Sequence, residues 1–165
     1  MRRFTMVASL LWRSRHFTGL ASDSAKLLYF YYLTSERQNP IGAYLIPDGY
    51  ACNDLGWDLA LYQRERGALV EADLIVFDLE TSTVFVRRWF NHSPPKGQKS
   101  YQAGLRLIDE LDSPIIAEVV TQEFQEALER LEKAQPMPGL PGAGGKVIDL
   151  AENGPFGVRK RRQQY

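Results

Sequence analysis

Within residues 20–90 the apolar pattern changes period several times, and that order of segments constrains the fold more than any single motif. Ser22 precedes Asp23-Ser24 as a helix N-cap, its hydroxyl suited to a free backbone N–H. The helix it opens runs to about Thr34, with Ala25, Leu28 and Tyr32 on a broad apolar face. Asn39-Pro40 and Gly42 end it in a loop. Residues 43–46 read as a short strand. Pro47-Asp48 opens a second, short helix that stops near Leu55-Gly56, and Trp57-Asp58 begins a third that continues to about Ala72. Two β-rich runs, 74–78 and 83–88, follow with Leu79-Glu80-Thr81-Ser82 between them, the pattern of a hairpin.

The third helix is two-faced. With Leu69 taken as core-facing, Leu61, Tyr62 and Ala72 share its side, whereas Ala60, Gln63, Arg64 and Gly67 fall opposite; Glu65 points towards the core side. Helix, strand, helix, helix and hairpin in this order are the plan of a winged helix-turn-helix. Such a fold lays its third helix in the DNA major groove, and its wing touches backbone or minor groove. Gln63 suits bidentate pairing with adenine and Arg64 with guanine, while Gly67 lets the helix approach closely. Arg13, Arg15, Thr81 and Ser82 are the candidate phosphate contacts.

The flanks carry less pattern. Residues 4–12 read as an extended lead-in, preceded by Arg2 and Arg3; the run ends in Arg13-Ser14-Arg15-His16 rather than at a small-residue cleavage site, so it reads as part of the fold. After Ser93-Pro94-Pro95, Tyr101, Leu105, Ile108 and Leu111 mark a helix. Ser113-Pro114 starts another, with Ser as cap and Pro at the first helical position, reaching about Ala134. Its stripe of Ile115, Ile116, Val119, Val120, Phe124, Leu128 and Leu131 is ~30 Å long and must pack back on the preceding unit or against another subunit. A homodimer through Ile115, Val119, Val120 and Phe124 is expected, presenting two recognition helices to paired half-sites. From Pro136 the chain turns to Pro and Gly, a flexible linker, and ends near Arg159-Lys160-Arg161-Arg162, for which phosphate contact and simple solubilisation both stay open. The expected class is α+β: a winged helix at 1–93, a helical extension at 94–134 and a flexible tail at 135–165.

Counting removes several functions. One cysteine, Cys52, makes neither an internal disulfide nor a thiolate cluster, and it reads as a buried structural thiol in a reducing, cytoplasmic setting. His16 and His92 offer no ligand spacing, so no metal is expected. Gly139 to Lys146 fails as a phosphate loop because Leu140 holds the first glycine position and Val147 replaces the hydroxyl. Asp109, Glu110 and Asp112 are charges at a helix end, and Trp12, Trp57 and Trp89 read as core packers. No nucleophile–base pair remains, so no catalysis and no cofactor are expected. No apolar run approaches the ~18 residues of a membrane span.

Leu11-Trp12, Phe17, Leu20, Ala25-Lys26-Leu27-Leu28-Tyr29 and Leu33-Thr34 resemble the opening of phage replisome-organiser and DnaD-like replication proteins. The likeness continues through Gly42-Ala43-Tyr44, Asp54-Leu55-Gly56-Trp57, Leu69, Leu74-Ile75, Val84-Phe85-Val86 and Trp89-Phe90-Asn91-His92. It spans roughly residues 3–115. In that family the N-terminal winged helix serves DNA binding or self-assembly, and a later region meets origin DNA or the helicase machinery. The resemblance implies a role in phage or prophage replication initiation, with double-stranded DNA and a helicase or helicase loader as partners. Asp73 stands where a glycine is usual before the wing, and Glu80 at the tip repels phosphate. Residues 1–93 hold ten basic and ten acidic side chains. These features motivate two alternatives, a protein-interaction adaptor and, closer in class, a transcriptional repressor.

Overall fold

Apolar side chains from Phe17 to Ala127 gather into one core, and each element follows from how its stretch reaches that core. The computed structural model describes residues 5–134. Arg2, Arg3, the Pro/Gly-rich segment and the Arg159–Arg162 cluster lie outside the described residues. The class is α+β.

Only the start of the lead-in keeps extended backbone, at Ala8. Ser9–Arg13 forms a 3₁₀ turn and Arg15–Thr18 a single helical turn, α1. Phe17 is fully buried, with its ring 5.7 Å from Tyr29 and 5.6 Å from Phe30. His16 Nδ1 donates to the Ala72 carbonyl at 2.8 Å. Anchors distant in sequence, which a local apolar run does not report, shape this segment. Trp12, expected in the core, is instead 64% exposed.

Ser22 caps α2 (Asp23–Thr34), its hydroxyl accepting from the Ala25 N–H at 3.0 Å. Buried Ala25, Leu28, Tyr29 and Tyr32 face the core, and α2 packs on α4 (Leu59–Glu71). The hydroxyls of Tyr32, Tyr44 and Tyr62 are satisfied internally, as buried polar groups must be. The Tyr32 and Tyr62 hydroxyls lie 2.8 Å apart, and Tyr44 donates to the Tyr32 carbonyl at 2.6 Å. Burial pushes the Tyr29 hydroxyl up to about 12 and raises those of Tyr32 and Tyr44 further.

Between these helices come β1 (Ala43–Leu45) and α3 (Asp48–Leu55). Gly56 ends α3 at φ 66°, a left-handed backbone that suits glycine. Asp58 caps α4 by accepting from the Leu61 N–H at 2.7 Å. The hairpin is β2 (Ile75–Asp78) and β3 (Thr83–Val86), and the sheet runs β1–β3–β2, antiparallel throughout. Ala43 lies opposite Phe85, and Ile75 opposite Val86. Cys52, on α3, is half-buried rather than sealed in the core.

Two further helices, α5 (Gln98–Asp109) and α6 (Pro114–Ala134), complete the same core. Ser113 caps α6, its hydroxyl accepting from the Ile116 N–H at 3.2 Å. Ile116, Val120, Phe124 and Ala127 are buried against the hairpin and α5. Phe124 meets Phe90 edge-on at 5.1 Å and stacks on Tyr101 at 5.8 Å. A Cβ on Gly104 would come within 2.8 Å of Phe124 Cζ, so the glycine is what lets α5 approach. This corrects the surface expected for a homodimer. Val120 and Phe124 are covered by the chain itself, Val119 is half-buried against the core, and Ile115 alone of the four is exposed. Glu123 fastens α6 to the end of β3, accepting from Arg87 Nη1 at 2.8 Å and the Arg88 N–H at 2.7 Å. Asp73 accepts from the same two arginines at the other side.

Candidate nucleic-acid interface

The inner side of α4 buries Tyr62, Glu65, Arg66 and Leu69. Its outer side exposes Ala60, Gln63 and Arg64, with Gly67 partly exposed. A Cβ on Gly67 would meet nothing within 4 Å. Internal packing therefore gives no reason for a glycine in mid-helix, where it costs ~1 kcal/mol relative to alanine. The structure brings Gln63, Arg64 and Gly67 onto one face, as the 3.6-residue period requires.

Both polar members of that face are held by carboxylates. Gln63 Nε2 donates to Asp48 Oδ2 at 3.2 Å, across from the first turn of α3. Asp48 also pairs with Arg66, whose buried guanidinium lies 4.1 Å over the Phe77 ring and 5.1 Å from that of Tyr62. Arg64 sets Nε at 3.0 Å and Nη2 at 2.8 Å from Glu65 Oε1. The other Glu65 oxygen accepts from the Ser22 hydroxyl at 2.8 Å. The Glu65 side chain is 4% exposed and that of Arg64 70% exposed, so Arg64 neutralises a nearly sealed acid while keeping its outer edge in solvent.

Arg13 and Arg15 are exposed and make no ion pair among the described residues. The His16 bond to Ala72 fixes their segment at the C-terminal end of α4, about 13 Å along the helix from Gln63. They flank the face rather than join it. At the hairpin tip, Thr81 donates its hydroxyl to Asp78 at 2.8 Å, and the Glu80 N–H does the same at 3.0 Å. Ser82 adopts φ 51°, and its carbonyl receives the Ile46 N–H at 2.8 Å. Thr81 and Ser82 thus close the turn, and exposed Glu80 and Leu79 are what the tip presents.

Asp48 and the buried Arg66 are the members that sequence reasoning missed. Asp48 lies fifteen residues from Gln63 on another helix, and no local spacing signals their meeting. Among the described residues no group of His, Cys, Asp and Glu comes together that could hold a metal ion, and no helix is long and apolar enough to cross a membrane. Comparison of the chain with family models, curated proteins and solved structures finds no match.

Proposed function

We propose that the chain is a DNA-binding protein of the winged-helix type, acting in the initiation of phage or prophage replication. In this reading α4 enters the major groove, Gln63 and Arg64 read base edges, and Gly67 permits close approach. The observation that carries it is the open space over Gly67 beside two exposed side chains able to form bidentate bonds. The element order and the β1–β3–β2 sheet support it. Arg13 and Arg15 supply phosphate contacts beyond the C-terminal end of α4, and the tip contributes its backbone more than its hydroxyls. The replication role and the helicase or helicase-loader partner rest on the family resemblance alone.

The test is duplex binding with a site selected from random sequence. Affinity should fall steeply with salt, and Gln63→Ala should cost ~1–3 kcal/mol at one base position. Absence of binding at low ionic strength overturns the reading. Footprints at a promoter rather than an origin would move the protein to the repressor class. A protein-interaction adaptor is the second reading, favoured by the carboxylates holding Gln63 and Arg64 and by exposed Leu59 and Val70 on the same helix. It predicts no salt-dependent duplex binding at all.

A further inference from the structure

We propose that Trp12, with Arg13 and Arg15, forms a second nucleic-acid contact that takes an unpaired strand by stacking a base on the indole. Trp12 is 64% exposed and yet anchored in the fold. Its ring lies 5.4 Å from Phe17 at an interplanar angle of 80° and 6.1 Å from Phe30 at 45°. Both neighbours meet it at an angle. These two contacts hold the side chain in position while most of it stays in solvent.

An exposed aromatic fixed in this way is a platform for a planar ligand. The charge beside it points to the ligand's class. Arg64, Arg66, Arg87 and Arg88 are paired with carboxylates, and Arg37 lies 4.1 Å over the Tyr50 ring. Arg13 and Arg15, one and three residues after Trp12, are exposed and in no ion pair among the described residues, which leaves their guanidinium groups open to phosphate. Stacking surface together with adjacent free cations matches a single strand, which offers an unstacked base and a backbone charge at every residue. A duplex hides its base faces and cannot use the ring. Met6, Val7 and Leu10 are also exposed on this segment, so a lipid surface would engage them together with the ring, and vesicles serve as the competing probe.

This contact is distinct from the α4 face, because the bond from His16 to Ala72 sets it past the end of that helix. It shares Arg13 and Arg15 with the proposed duplex contact, and Trp12 is the member that separates the two. The experiment is titration of the full chain with an oligothymidylate at low salt, read by tryptophan fluorescence and by anisotropy of a labelled strand. Trp89 is buried and Trp57 half-buried, so saturable quenching should come from Trp12. Trp12→Tyr should bind within about threefold of the wild type, and Trp12→Leu, which keeps apolar bulk without a ring, about tenfold more weakly. Duplex affinity should be unchanged by Trp12→Leu, and oligothymidylate affinity unchanged by Gln63→Ala. Three results would each overturn the proposal: no quenching, equal binding by Trp12→Leu, or quenching by phosphatidylserine vesicles with none by the oligonucleotide.

Discussion

At the residue scale, Glu65 and Arg64 set the state of the α4 face. A nearly sealed carboxylate needs a counter-charge, and Glu65 has Arg64 on one oxygen and the Ser22 hydroxyl on the other. Arg64→Ala removes the charge partner, and because Arg64 is largely exposed the cost belongs near the lower end of the usual range, ~1 kcal/mol in urea unfolding. Glu65→Gln keeps an acceptor for Ser22 and releases the guanidinium; duplex affinity should rise several-fold, and an unchanged affinity would remove Arg64 from the reading surface. Gly67→Ala should separate fold from function. With open space at its Cβ position, the new methyl should stabilise the helix by ~0.5–1 kcal/mol and weaken duplex binding. A variant both more stable and equally tight would mean that no partner approaches there. The outward placing of Gln63, Arg64 and Gly67 was legible in the sequence because helical period alone decides it. The carboxylate partner of Gln63 was not, since Asp48 sits on another helix and nothing in the spacing reports a contact between helices.

Elements with local signals were equally legible. Ser22, Asp58 and Ser113 cap their helices, and Gly56 ends α3, because a cap acts within one turn of its own position. The lead-in and α6 show the limit of such signals. An apolar stripe reports that a face is covered but not by what, and here the hairpin and α5 cover it. Phe124→Ala should therefore cost ~3–5 kcal/mol by leaving a cavity among Phe90, Tyr101 and Gly104. Replacing Val120 and Phe124 together by Asp should unfold the chain rather than yield a folded monomer, which circular dichroism distinguishes. The junction of α6 with the hairpin also carries a pH dependence. Hydrogen bonds from Ser113 and Thr81 hold the Asp78 carboxyl below the usual carboxylate range. Its contribution to stability is full above the unfolded value of about 4 and is lost as pH falls through the lower folded value. Asp78→Asn should flatten the acid limb of a denaturation profile below about pH 4, and an unaltered limb would show that the bonds do not form.

For the whole molecule, zero net charge conceals an uneven surface. Arg64, Arg66, Arg87 and Arg88 are paired with acids, whereas Arg13 and Arg15, in no ion pair among the described residues, lie at one end of α4. If the proposed duplex recognition holds, affinity should depend on a few phosphates rather than on bulk charge. The measurement that tests duplex recognition most directly is amide chemical-shift mapping during titration with a short duplex at low salt. Shifts concentrated at Gln63, Arg64 and Gly67, with weaker ones at Arg13 and Arg15, are the predicted result. A duplex that leaves α4 unshifted, or that shifts only residues on other elements, contradicts it.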